Sequence, residues 1–265
     1  MNLHHAAEMD CANYFAQNGY YVFAYDATGN DESEGEGIGG MPQGTIDLEH
    51  AISFVKQSDE YNDLSIVLFG HSWGGYSAST VLSYHPDVKA VIECSGFNSS
   101  ADIFEAQGKQ QAGNFIYAMM PFVKIHEFIR FGKYATNTAV DGFESSDANI
   151  LVLHSEDDNV VPIEYGYDIY EEKFKDNERF KFMHFDDRGH NYVYHDTTYI
   201  DEFNKEFDKW LETLDYDYNA EENKERFVED KSKYMKENLD RKKWCNMLEP
   251  EIFDEFVAFY DASIK

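Results

Sequence analysis

Cysteine is scarce: three among 265 residues, Cys11, Cys94 and Cys245, widely separated and with no CxxC pair. That excludes a disulfide framework and the usual structural zinc spacings, and it implies a reducing, cytoplasmic setting. Basic residues are also few, 22 Lys and Arg against 51 Asp and Glu, for a formal net charge of -29. A surface that negative repels phosphate backbones and anionic membranes, which excludes nucleic acid as a partner. No stretch is long and apolar enough to span a bilayer. The start, Met1-Asn2-Leu3-His4-His5, lacks the basic and apolar regions of a signal peptide. Metal signatures are missing too. There is no HExxH and no Cys/His cluster, so neither metal nor cofactor is expected. Asp215-Tyr216-Asp217-Tyr218-Asn219 begins like a calcium loop, but Ala220 stands where Gly is needed and Arg226 where Glu is needed. Gly35, Gly37, Gly39 and Gly40 are not followed by Gly-Lys-Ser/Thr, so no phosphate-cradling loop is predicted.

What is present suits a globular α/β protein. Hydrophobic residues make up 43% of the chain and aromatic ones 16%, enough for a sizeable core in one large domain with an extension. Helical and strand signals alternate, the pattern of a mostly parallel sheet flanked by helices. A helix is expected over Ala6–Gln17, then a strand over Tyr20–Tyr25 and a long Gly/Asp/Glu-rich loop over Asp26–Gly44. Further helices are expected over Ile46–Gln57 and Tyr76–Tyr84, with strands over Leu64–Phe69, Val88–Cys94, Asn149–His154 and Phe180–Phe185. Ser99 to Asn137 interrupts the alternation with two or three short aromatic-rich helices. Thr197–Leu214 carries an apolar stripe of Ile200, Phe203, Phe207, Trp210, Leu211 and Leu214. From Tyr216 the chain becomes highly charged and helical, with Pro250 opening a last helix. The segments expected are therefore 1–98 and 138–215 as two parts of one core, 99–137 as an inserted helical unit, and 216–265 as a charged extension packed on that core.

A serine alcohol needs an adjacent base to act as a nucleophile near neutral pH, and the base needs a third group to orient it. Gly70-His71-Ser72-Trp73-Gly74 fits G-x-S-x-G directly between a strand and a helix, the setting of a nucleophile elbow. His154-Ser155-Glu156-Asp157-Asp158 follows a later strand and offers Asp157 or Asp158 as the acid. Gly189-His190 follows the last strand and offers the base. The order Ser, Asp, His, each after its own strand, is more specific than any one of the three.

The run Gly19 to Gly35, the Gly70–Gly75 elbow, the stretch His154 to Pro162 and Gly189-His190 together resemble the α/β-hydrolase superfamily. The likeness is nearest to the serine aminopeptidase and monoglyceride-lipase-like branch, and it covers roughly Met9 to Leu214. The resemblance implies Asp158 as the acid, the fifth residue of an H-G-x-x-D stretch in which Ser155 replaces Gly. It also implies that 99–137 is a lid, whose Phe115, Met119 and Met120, with His71 beside the nucleophile, are candidate substrate contacts. The Trp73 N–H would be one oxyanion donor. The second donor of this family comes from a His-Gly loop after a strand that precedes the first helix, and Leu3-His4-His5 supplies neither. The expectation is therefore an N-terminally incomplete hydrolase, the absent strand falling between Tyr20–Tyr25 and Leu64–Phe69.

The function these features imply is hydrolysis of an ester, thioester or amide through a Ser72 acyl-enzyme, on a small-molecule ester. The rivals are a short-peptide aminopeptidase of the same fold, and a catalytically impaired fragment or non-catalytic interaction module. Oligomeric state is left open.

Overall fold

The computed structural model describes residues 9–37, 39–245 and 247–265. The chain divides into two compact units, one running to Val193 and taking in Asp254–Lys265, the other Tyr194–Phe253.

The first unit is built on four parallel strands in the order β1 (Val67–His71), β2 (Ala90–Cys94), β3 (Asn149–Ser155) and β4 (Phe180–Phe185). Each strand is a short run rich in apolar residues between helices. β2 is buried throughout and β3 nearly so, as parallel strands covered on both faces must be. Its helices are α1 (Met9–Gln17), α2 (Pro42–Gln57), α3 (Trp73–Thr80), α4 (Ser100–Ala112), α5 (Ile116–Phe131), α6 (Ala139–Glu144) and α7 (Tyr167–Phe174). One face of the sheet, carrying Leu68, Val91, Ile150, Val152 and Phe180, packs against Ile52, Ala78, Leu82, Phe143, Tyr167 and Tyr170 in the main core. On the β1 edge, Phe69 meets Phe256 with ring centroids 5.9 Å apart, and Tyr260 meets Phe15 at 5.6 Å. The buried Tyr260 hydroxyl donates to the Leu68 carbonyl at 2.6 Å.

Several sequence expectations are corrected. Tyr20–Tyr25 belongs to no strand among the described residues. Its β-branched and aromatic content favours extension, but a strand also needs a neighbouring backbone to bond. Its side chains and β1 instead wall a cavity of about 420 Å³. Helix α2 begins at Pro42, four residues before the apolar pattern does, because proline suits the first turn of a helix. β1 starts and ends later than Leu64–Phe69, and the helix after it starts at Trp73 rather than Tyr76. The 99–137 segment is not a set of short helices. It is two of ordinary length, α4 and α5, the second continuing through Pro121.

The second unit holds α8 (Thr198–Glu212), α9 (Lys224–Asn238) and α10 (Arg241–Cys245). The expected apolar stripe of α8 does the packing: Trp210 stacks on Tyr234 of α9 at 4.6 Å, and Phe207 lies 5.5 Å from the same ring. Helix α11 (Pro250–Ser263) contributes its last residues, from Asp254, to the first unit. The stretch 216–265 is therefore not one extension. Its charge is continuous, but Phe256, Phe259 and Tyr260 are buried side chains of the sheet unit. Among the described residues no helix is long and apolar enough to cross a membrane.

Candidate active site

The carboxyl ends of the parallel strands meet at one place, where open α/β sheets build their sites. β1 ends at His71 and α3 begins at Trp73, leaving Ser72 alone on the turn with φ +56° and ψ -116°. A non-glycine residue there is strained, and the tight packing of the turn holds it. A Cβ on Gly70 would collide with the Gly74 carbonyl, which is why glycine stands at that point.

Ser72, His190 and Asp158 converge. The Ser72 Oγ lies 2.9 Å from His190 Nε2, and His190 Nδ1 lies 2.7 Å from Asp158 Oδ2. With Nδ1–H donating to the carboxylate, Nε2 is left to accept the serine hydroxyl proton. Asp158 is buried at the head of the loop after β3. Its Oδ1 accepts from the amides of Val160 at 2.9 Å and Val161 at 2.8 Å, and its Oδ2 also faces His154 Nε2 at 3.3 Å. Burial alone would push the Asp158 carboxyl up; the hydrogen bonds from His154, His190 and the Val161 amide outweigh it and hold the carboxyl well below the usual range.

Asp157, the other candidate acid, points elsewhere. Its Oδ1 accepts from the Gly189 amide at 2.7 Å and from the Ser155 hydroxyl at 2.7 Å, and Ser155 Oγ in turn accepts from the Arg188 amide at 2.9 Å. Ser155 and Asp157 thus tether the loop that carries His190. The sequence marks Asp157 only as a candidate acid and Ser155 only as a departure from glycine; the tethering role is not legible in it. His71 is half-buried; its Nε2–H donates to the His190 carbonyl at 2.8 Å, and the two rings sit 4.9 Å apart. It holds the loop that carries His190 as well as lining the cavity.

The Trp73 N–H is the first of α3, a position that has no carbonyl one turn earlier to bond. Its indole Nε1–H donates to the Met41 carbonyl at 2.8 Å, which fixes the side chain. Of the remaining candidates, Phe115 and Met119 are exposed and Met120 is buried. None of the three lines the cavity beside the elbow, whose walls include Tyr20–Tyr25, β1, Trp73, Gly74 and Tyr260. Aromatic content marked the inserted helices, but periodicity does not say which side faces the site. The segment Leu3-His4-His5, read for a second oxyanion donor, lies outside the described residues.

This sheet order, with a serine elbow after β1 and an Asp and His after β3 and β4, is the α/β-hydrolase fold. The sequence model of the serine aminopeptidase family, S33, matches residues 1–127. Among solved structures the chain is similar to an esterase of Pyrococcus furiosus, Pf2001, at 17% identity and a TM-score of 0.54, covering 79% of this chain and 76% of that one. A second crystal form of that esterase gives 17% identity and a TM-score of 0.52 over 79% and 77%. No curated protein matches the sequence.

Proposed function

We propose that this chain is a serine hydrolase that cleaves uncharged esters through an acyl-enzyme on Ser72. The observation that carries the reading is the Ser72 Oγ, held on a strained elbow 2.9 Å from His190 Nε2 while Asp158 fixes the ring from the other side. The Ser72 oxygen attacks the ester carbonyl carbon, and its proton passes to His190 Nε2. Asp158 stabilises the imidazolium that forms, and the proton then goes to the leaving alkoxide as the C–O bond breaks. Water repeats the sequence in the second half, with His190 taking one of its protons, and frees the acid. The Trp73 N–H faces the developing oxyanion as one donor.

The ester preference rests on the apolar walls of the cavity next to the elbow, Phe23, Tyr25, Phe69 and Trp73, which His71 and Gly74 border although Ser72 itself does not line it. The two esterase structures are consistent with it. The S33 match favours the second reading, a short-peptide aminopeptidase, and the acidic surface would attract a cationic amino terminus. The scarcity of cysteine supports a cytoplasmic setting.

A series of p-nitrophenyl esters from acetate to octanoate, run beside aminoacyl p-nitroanilides, separates the two. The expected result is ester turnover that Ser72→Ala abolishes. Turnover that survives Ser72→Ala contradicts the reading, and faster anilide cleavage moves it to the aminopeptidase.

A further inference from the structure

Behind the Ser72–His190–Asp158 row lie two buried titratable side chains that the proposed reaction does not use. Glu93, on β2, and His154, on β3, have no measurable solvent exposure. Glu93 is level with Val152 across the β2–β3 pair, and His154 follows Val152 by two residues, so both point from the same face of the sheet. On its other side Glu93 is level with Gly70 and packs against Gly75 and Gly96, which leave room for the carboxyl group.

The hydrogen bonds of His154 are divided. Its Nε2–H donates to the Val161 carbonyl at 2.9 Å and faces Asp158 Oδ2 at 3.3 Å. Its Nδ1 is buried with no hydrogen-bond partner, and both Glu93 carboxyl oxygens are in the same condition. Unmet buried polar atoms are costly. Opposite charges on the two groups offset part of that cost through their attraction, without a direct hydrogen bond between them. Burial, the largest influence on each group, pushes Glu93 up to about 7, while the charge of His154 pulls the other way. Burial lowers His154, but Asp158, Glu93 and the Val161 carbonyl outweigh it and leave the ring with raised proton affinity.

We propose that His154 is a positioning residue of this site: a second imidazole that shares the Asp158 carboxylate with His190 and is kept cationic by Glu93. Asp158 then lies between two rings, and it holds the proton of His190 less tightly than a carboxylate serving one ring would. The proposal rests on the Ser72–His190–Asp158 reading. The charged groups that act on His154 are Asp158 from its own loop and Glu93 from β2, and Asp168 from α7 senses its charge; Tyr170 from α7 senses Glu93 and Tyr76 from α3, and His184 is the register partner on β4. Those around the His190 ring are Asp158, His71 and Ser72.

The test uses a fluorophosphonate probe and the full chain, with the labelling rate of Ser72 followed against pH. His154→Gln keeps an N–H donor near the Nε2 position but carries no charge. Its labelling midpoint is expected to move to alkaline pH by about one unit, with the thermal midpoint of unfolding held close to wild type. Glu93→Gln, which removes the counter-charge of the ring, moves the labelling midpoint the same way by less, and it serves if His154→Gln fails to fold. A purely structural His154 is rescued by glutamine with no change of midpoint, and that result overturns the proposal. In a second arm, ring 15N signals are titrated by NMR: His154 stays protonated at Nδ1 through neutral pH in the wild type and loses that proton at lower pH in Glu93→Gln. Identical titrations overturn the pairing. A wild type that takes no probe refutes the reading of Ser72, and with it any positioning role, whereas the NMR arm still reports on the Glu93–His154 pair alone.

Discussion

Asp158→Asn exchanges one carboxylate oxygen for an NH2 group, and the surroundings dictate which one. Oδ1 accepts from two backbone amides, Val160 and Val161, at 2.9 and 2.8 Å. An NH2 cannot accept, so the asparagine oxygen must take that place and its nitrogen must take the place of Oδ2. There it faces His190 Nδ1 at 2.7 Å and His154 Nε2 at 3.3 Å. At His154 one donor now meets another. At His190 the ring must accept at Nδ1, which moves its hydrogen to Nε2, 2.9 Å from the serine oxygen. In that tautomer the ring donates to Ser72 and cannot take its proton. The loss expected for such a tautomer reversal is about ten-thousandfold, roughly 5.4 kcal/mol in the barrier. The assay is the pseudo-first-order rate of fluorophosphonate adduct formation, read by intact mass. Asp157→Asn is the internal comparison: its amide oxygen still accepts from the Gly189 N–H, so its rate should stay within about tenfold of wild type. An Asp158→Asn protein within tenfold of wild type, or an Asp157→Asn protein equally impaired, refutes this reasoning.

Other outcomes follow from the same contacts. Gly70→Ala forces a methyl group against the Gly74 carbonyl and should cost about 3 kcal/mol, measured as a lower urea midpoint; an unchanged midpoint contradicts the turn geometry. His71→Ala removes the donor to the His190 carbonyl and should slow labelling about tenfold, near 1.4 kcal/mol, without abolishing it. Stability should also fall with rising pH across neutrality. Glu93, at about 7, and His154 both bind protons more tightly folded than unfolded. Their contributions are complete below the ordinary values of a carboxyl group and an imidazole, and are lost as pH rises through the raised ones. Asp158 is shifted downward, so its own contribution is already complete above the ordinary carboxylate range and does not change in this window. Thermal midpoints measured between pH 5 and 8.5 should therefore decline, and Glu93→Gln should flatten the decline; a steeper slope in the variant counts against it.

How much of this was legible beforehand depends on how local each feature is. The elbow was legible because Gly70, Gly74 and Gly75 lie within a few residues of Ser72, and an apolar run leads into them. The two adjacent carboxylates after β3 were not separable by composition. Asp158 meets His190 and Asp157 meets the Gly189 amide only because of how the loop turns after Ser155. The contact between His154 and Asp158 depends on the same turn of the loop, and the side Glu93 shares with His154 depends on strand register, which no single segment encodes. Tyr20–Tyr25 read as a strand because local preference was all that could be counted. The last helix reads as part of a charged extension because its interleaved acids hide a stripe, Phe256, Phe259 and Tyr260, buried in the sheet unit.

The central claim is that Ser72 is an activated nucleophile. Incubating the folded chain with a fluorophosphonate and mapping the adduct by peptide mass tests it directly. The account predicts one adduct, on Ser72, absent from Ser72→Ala and slowed in Asp158→Asn. A folded protein that takes no adduct, or takes it on another residue, contradicts it.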